Sequence, residues 1–352
     1  MENIARALID SNWTVEILSP TPCEDESAGI QGVRYNEFNY TNPSSSVETM
    51  LNTVRGVGTY RKLMSKRDFD IVLDDISHYP YYPAHFLCPE GITNAVFMHT
   101  AFFGAAREYV GPIRGSVIDI IDRTLPWLNH PAIICAGEST RNRIHDITDY
   151  RNTRILHPMV QADEFTYTFD PESQNVLYLG RLDARKNVEC LLRAWQYVER
   201  STNCNMSLLI AGTGPREQEL IEFASQLHLN NVEFLGYVGE KEKRRLFSNS
   251  LLYVLPSKME GYVTTGLEAM ASGTPVVGSD TFGINDYVKH AETGYLFPVD
   301  NHRHLAEILL ELISTPEQLE PIAKAGRDLA EEHSFESFKQ NANSLFQSLV
   351  MS

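Results

Sequence analysis

The chain has 352 residues, 43% of them hydrophobic, with 46 acidic side chains against 30 Lys and Arg and a formal charge of −16. That length fills two ordinary domains, each with a sizeable core. The charge argues against nucleic-acid binding and against adsorption on an anionic bilayer by bulk electrostatics. The five cysteines are odd in number and form no CxxC pair, so they read as buried or incidental thiols of a reducing compartment. The opening residues are amphipathic rather than apolar, and no stretch approaches the roughly 18 apolar residues of a spanning helix. A cytoplasmic protein is expected, at most peripheral on the cytoplasmic membrane face.

Glu2 to Asp10 has helical spacing, with Ile4, Ala5, Leu8 and Ile9 on one face, and Trp13 to Leu18 alternates like a strand. Ser44 to Ser65 is polar with helical spacing. Asp70 to Leu73 reads as a short strand ending in Asp74 and Asp75, an adjacent acidic pair whose side chains diverge and which fits turn and cap roles better than a metal site. His78 to Phe86 is an aromatic, proline-punctuated loop in which Tyr79, Tyr81 and Tyr82 suit a core lid more than a stacking platform. Asn94 to Met98 is the next strand, with His99 at its carboxyl end, where α/β sheets place ligands. Ala132 to Ala136 is another strand, followed by a helix from Glu138. The polar, aperiodic Gln161 to Gln174 reads as the domain boundary.

Beyond it the pattern is regular. Val176 to Leu179, Met206 to Ile210, Val232 to Leu235 and Leu251 to Leu255 are short apolar runs separated by helical segments at Val188 to Arg200, Gln218 to Leu227 and Glu240 to Phe247. Strands alternating with helices imply a parallel sheet. Lys241, Lys243, Arg244 and Arg245 read as a solvated helix face.

Two loops carry chemistry. Gly180 to Asn187 (GRLDARKN) joins a strand to a helix and holds Arg181, a planar fork, and Lys186, a point charge, in one turn, which suits a diphosphate. Glu260 to Gly278 (EGYVTTGLEAMASGTPVVG) runs from a loop into a helix that Gly273 ends. On one continuous helix Glu260 and Glu268 would lie about 12 Å apart along the axis, too far for the acid pair of an ordinary glycosidase. With a loop between them they can grip different parts of one ligand, while the amides near Thr264 and Thr265 face an anion. Gly212, in AGTGP after the next strand, suits a tight turn that brings a ligand to the backbone.

Taken in order, GRLDARKN, LLIAGTGP, VEFLGYV, LLYVLPSKMEGYVTTGLEAMASGTPVV and GYLFP resemble the C-terminal half of the retaining glycosyltransferases of family 4, the glycosyl transferases group 1. DIVLDDIS, AVFMHT and AGESTR resemble the N-terminal half more loosely. The resemblance implies the GT-B fold class, α/β with two Rossmann-like domains facing each other across a cleft. It implies an acceptor domain over 1–160, a donor domain over 161–334, and a helix over 335–352 that crosses back to the first domain.

The resemblance also implies roles. Arg181 and Lys186 hold the donor diphosphate, Glu268 bonds the ribose, Glu260 lies against the transferred sugar, and Gly212, Gly261, Thr264 and Thr265 complete the donor site. His99 faces the sugar, so the catalytic set is His99, Glu260, Arg181 and Lys186. The implied reaction moves a hexose with retention from a nucleotide sugar, a UDP- or GDP-hexose, to a sugar, lipid-linked or protein acceptor, with no metal and no cofactor beyond the donor. Three departures stand out. The family's first strand and glycine-rich loop have no counterpart before the opening helix. Val263 stands where Gly is common, so a reshaped loop is expected because a β-branched residue resists positive φ. Asn187 stands for another Gly, a milder change. The alternative reading is a catalytically silent GT-B protein that binds a nucleotide sugar or a partner transferase.

Overall fold

The computed structural model of the chain describes residues 1–19, 30–37, 56–65, 68–76, 87–124, 132–201 and 206–351. Two compact units are present, one of residues 1–157 with 335–352 and one of residues 158–334. The second therefore begins at Pro158, three residues before the expected 161. The reason is local: Val160, Ala162 and Phe165 are apolar and buried in its core, so the polar stretch starts after them. Tyr79, Tyr81, Tyr82, Cys23 and Cys204 lie outside the described residues, as does the first part of Ser44 to Ser65, whose residues 56–64 are helical.

In the first unit α1 (Glu2–Asp10) buries Ile4, Ala5, Ala7 and Leu8, the stripe its 3.6-residue period sets out. β1 (Glu16–Ser19) and β2 (Arg34–Glu37) make a parallel pair. β3 (Ile71–Ile76), β4 (Thr93–Met98), β5 (Ala132–Cys135) and β6 (Thr153–Ile155) form a four-stranded parallel sheet in that order. Asp74 and Asp75 are inside β3, opposite Val96 and Phe97, and not in a turn: parallel pairing with β4 continues to Ile76 and Met98 and carries the acidic pair into the ladder. α2 (Ala106–Val110), α3 (Pro112–Thr124) and α4 (Glu138–Ile147) complete the described helices after β4.

The second unit is built on β7 (Asn175–Leu179), α5 (Val188–Ser201), β8 (Ser207–Ala211), α6 (Glu217–Gln226), β9 (Val232–Gly236), α7 (Glu240–Ser248), β10 (Leu252–Leu255), α8 (Thr264–Ala271), β11 (Val276–Ser279), β12 (Gly294–Phe297), α9 (His302–Ser314) and α10 (Glu320–Glu332). Its sheet is parallel in the order β12-β11-β10-β7-β8-β9. Both faces are covered, so the strands read as continuous apolar runs. Val176 and Tyr178 point to one core with Val188, Leu191, Leu192, Trp195 and Val198 of α5, while Leu177, Tyr253 and Leu255 point to the other with Leu267 and Met270 of α8. Each fully buried aliphatic side chain contributes about 1.5–3 kcal/mol of transfer free energy.

The order of strands decides where a ligand can sit. From β7 the chain steps outward through β8 and β9, then returns to the other side of β7 with β10. That reversal is a topological switch point, and the loops leaving the carboxyl ends of β7 and β10 diverge from it side by side.

The last helix, α11 (Phe335–Val350), belongs to the first unit. Trp13 Nε1 donates to Asn343 Oδ1 at 2.8 Å and its ring meets Phe346 edge-on at 6.3 Å, while Thr93 Oγ1 donates to the Leu349 carbonyl.

Candidate nucleotide-sugar site

The β7 loop is shaped by Asp183, whose Oδ1 accepts the amides of Arg185 and Lys186 at 3.0 and 3.2 Å and so closes a single 3-10 turn. Asn187 then takes a left-handed φ of 54°, and its buried side-chain amide donates to the Pro256 carbonyl and to Asp300 Oδ1. Asn is tolerated there because its short polar chain finds local partners in αL. The Arg185 carbonyl accepts the Lys258 amide at 2.8 Å, which stitches the β7 loop to the β10 loop.

On this frame Lys186 Nζ lies 2.8 Å from Glu260 Oε1, and Arg185 Nη1 lies 3.3 Å from Glu260 Oε2. Glu260 is only 6% exposed. Burying a carboxylate that deeply is costly unless cations are beside it. Arg185 was not foreseen as a site residue, and neither was Asp183. Arg181 behaves differently: its side chain is 71% exposed and reaches Asp183 at 3.7 Å.

At Gly212 the β8 turn comes close to the β7 loop. Gly212 has φ +125°, and a Cβ there would lie 1.9 Å from the Gly180 carbonyl oxygen, so the close approach is to the β7 loop itself. Hydrogen bonds from Gly180 to the Ala211 carbonyl and from Leu182 to the Thr213 carbonyl fasten the two turns together.

α8 begins at Thr264, with Val263 as its N-cap at φ −94°. Val263 therefore needs no positive φ; it is buried, and its carbonyl accepts from Tyr287 Oη. The position is ordinary extended backbone, so Val263 carries no positive-φ strain. In the first turn of α8 the Gly266 amide donates to the Val263 carbonyl at 3.2 Å, while a helix start leaves the Thr264 and Thr265 amides without an intrahelical acceptor. Thr265 Oγ1 sits 2.9 Å from Tyr253 Oη, which is also 2.8 Å from the Leu179 carbonyl and so ties α8 to the end of β7. Gly261 lies in the buried loop between the two carboxylates, its carbonyl against Gly283.

Glu268 projects from α8 to Lys243 of α7, with Oε2 3.0 Å from Nζ. Lys243 also meets Glu240 at 2.9 Å, and its side chain is 13% exposed. The basic run is thus no solvated face at this position: Leu246 and Phe247, one turn on, are buried, and the same stripe carries Lys243 inward. Arg244 pairs with Glu164, and Arg245 with Glu242. Burial pushes the Glu268 carboxyl up, and Lys243 offsets part of that rise.

In the first unit His99 Nε2 lies 2.8 Å from Asp75 Oδ1, and its ring meets Phe97 edge-on at 4.8 Å. Asp75, read from sequence as a cap, is the histidine's partner. The loop beyond His99 is fixed by two buried acids of α3: Asp122 Oδ2 accepts the Phe102 and Phe103 amides at 2.9 and 3.3 Å, and Asp119 Oδ1 accepts the Gly104 amide at 2.7 Å. Burial raises the Asp122 carboxyl to about 6 against the pull of those amides.

The switch-point site, with its buried carboxylates paired to cations, lies within the second unit, and comparison with known proteins gives the following. Residues 160–329 match the family described as glycosyl transferases group 1. An uncharacterized glycosyltransferase of Methanocaldococcus jannaschii is 35% identical over 130 residues, 36% of this chain and 33% of the relative. The D-inositol 3-phosphate glycosyltransferase of Rhodococcus opacus is 32% identical over 185 residues, 50% of this chain and 41% of the relative. The chain spans a third to just under a half of the first three curated relatives it matches.

Among solved structures, sucrose-phosphate synthase from Thermosynechococcus elongatus superposes with a TM-score of 0.82 at 17% identity, covering 98% of this chain and 91% of that one. Anabaena HepE, in complex with UDP and glucose, gives 0.76 at 16% identity, with 98% and 94% covered. The likeness is one of fold, and the fold class is GT-B, with two Rossmann-like α/β units.

Proposed function

We propose that the chain is a retaining glycosyltransferase that moves a hexose from a nucleoside-diphosphate sugar, a UDP- or GDP-hexose, to the hydroxyl of a sugar, lipid-linked or protein acceptor. The observation that carries the reading is the cluster at the switch point: Glu260 held by Lys186 and Arg185, beside the start of α8 and one helix turn from Glu268. Cations beside the Thr264 and Thr265 amides of a helix start are chemistry for a diphosphate. Lys186 and Arg181 would neutralise the diphosphate as it leaves an oxocarbenium-like centre, the work a divalent ion does elsewhere. Glu260 would lie against the sugar and Glu268 would accept the ribose hydroxyls. His99, oriented by Asp75, is the first unit's candidate for a hydrogen bond to the transferred sugar.

The test is a panel of UDP- and GDP-hexoses, with and without EDTA, scored for binding and for slow donor hydrolysis by the wild type, Glu268→Ala and Lys186→Ala. Hydrolysis that survives EDTA and vanishes in both variants is expected, and retention is read from the anomer first released. Binding without turnover would favour a silent binding protein. Binding to no donor would sink the site assignment.

A further inference from the structure

Among the described side chains that approach the Glu268 carboxylate, Lys243 is the cation within ion-pair distance, and it comes from another helix. Its amine bridges Glu268 on α8 and Glu240 at the start of α7, at 3.0 and 2.9 Å. The other charged groups bearing on Glu268 are Glu240, which opposes its ionisation, and Arg244, which favours it but is engaged by Glu164. The buried hydroxyl of Tyr253, on β10, lies near the same carboxylate and is held neutral by its burial. The Lys243 amine is also 6.0 Å from the centre of the Phe165 ring, so it is enclosed on an aromatic side as well.

Without the ammonium, Glu268 would be a largely desolvated carboxylate facing a second one. Two like charges in one site cannot both ionise cheaply, and the buried member takes up a proton. A protonated Glu268 accepts poorly from two vicinal hydroxyls, whereas the carboxylate accepts both with charge-assisted bonds. The ammonium also fixes the direction of the carboxylate, because Lys243 is itself anchored by Glu240 on its own helix at i−3.

We infer that Lys243 is a positioning residue of the nucleotide site: it holds Glu268 ionised and aimed, and through it sets the preference for an intact ribose. This rests on the proposed donor-site reading. Lys243 touches neither phosphate nor sugar in this account, so its loss is felt only by ligands that carry ribose hydroxyls.

The experiment compares UDP and GDP with their 2′,3′-dideoxy forms by calorimetric titration on the wild type, Lys243→Met, Lys243→Arg and Glu268→Ala. Met keeps the apolar stem against Phe165, and Arg keeps the charge as a check on folding. The wild type is expected to prefer the ribonucleotides. Lys243→Met should lose about tenfold in ribonucleotide affinity, the order expected when a charge-assisted bond is weakened, and little in dideoxynucleotide affinity. Its ribonucleotide affinity should climb with pH as Glu268 ionises, while the wild type stays flatter. Lys243→Arg should restore most of the preference.

Equal losses for both nucleotide series in Lys243→Met would mean a merely structural role and would overturn the inference. So would an unchanged preference in Lys243→Met where Glu268→Ala abolishes it. A wild type that binds neither series, or both equally, overturns the donor-site reading instead, and is recognised before any variant is measured.

Discussion

Replacing Glu260 by Gln should weaken the free protein and strengthen its hold on a diphosphate. The carboxylate is 6% exposed and its cations sit at 2.8 and 3.3 Å. At an effective dielectric constant near 20, such pairs attract by about 6 and about 5 kcal/mol before desolvation is counted. Desolvation cancels most of that, and removing one partner of a buried pair typically costs about 3–5 kcal/mol because a charge is left uncompensated. The Lys186 and Arg185 side chains keep 15% and 20% exposure, so water can reach the freed cations and about 2–3 kcal/mol is the expected loss. For a unit of this size that is a fall in Tm of about 5–10 °C. Inorganic pyrophosphate should then raise the Tm of Glu260→Gln by more than it raises the wild type, since the carboxylate no longer competes for Lys186 and Arg185. Differential scanning fluorimetry with and without pyrophosphate reads both effects. A variant that melts within about 1 °C of the wild type, and gains no more from pyrophosphate, would refute the idea that Glu260 is what these cations neutralise.

Gly212→Ala should cost more than about 3 kcal/mol in urea denaturation, because its Cβ would meet the Gly180 carbonyl at 1.9 Å in a backbone with φ +125°; a loss below about 1 kcal/mol would mean the two turns separate easily. Asp122 is raised from 3.8 to about 6 by burial, so the folded state binds its proton more tightly than the unfolded state does. Its contribution is full below pH 4 and lost as pH rises through about 6, roughly two units or about 3 kcal/mol. Asp122→Asn, whose side-chain oxygen can still accept the Phe102 and Phe103 amides, should flatten that part of the stability-pH curve, and identical wild-type and variant slopes would count against it.

The second unit was largely legible in the sequence because a parallel strand buried on both faces is a bare apolar run. Val176 to Leu179, Leu252 to Leu255 and Val276 to Ser279 cannot easily be anything else between helices. The β7 and β10 loops were legible because few positions combine glycine, a charge and a strand end. Arg185 was not, since an Arg next to a Lys in a loop carries no local mark of which one faces a carboxylate 74 or 75 residues on. Lys243 did leave a signal. It lies three and four residues before Leu246 and Phe247, on the buried stripe of α7, and a lysine on such a stripe must either snorkel or meet an acid. The run KEKRR hid it, because charge counted along the chain takes no account of helical phase. Asp75 was misread for the opposite reason: the strand was ended too early, at Leu73, and an aspartate beyond a strand end looks like a cap.

These misses share a cause that bears on how the site is built. A buried carboxylate is tolerable only where a cation is supplied, and here the cations come from elements far from the acids in sequence but next to them in the sheet. Lys186 and Arg185 reach Glu260 because β7 and β10 are neighbours, paired at Leu177 and Tyr253. Lys243 reaches Glu268 because α7 packs beside α8 on one face of the same sheet. The spacing of the two glutamates, read alone, places two acids on a loop and a helix and leaves both electrostatically unstable. Their pairing with cations depends on the strand order, and the order β12-β11-β10-β7-β8-β9 is what delivers the β7 loop to the β10 loop. The sheet topology and the pairing of charges at the site are therefore one constraint, and on the proposed reading a diphosphate would compete with Glu260 for Lys186 and Arg185.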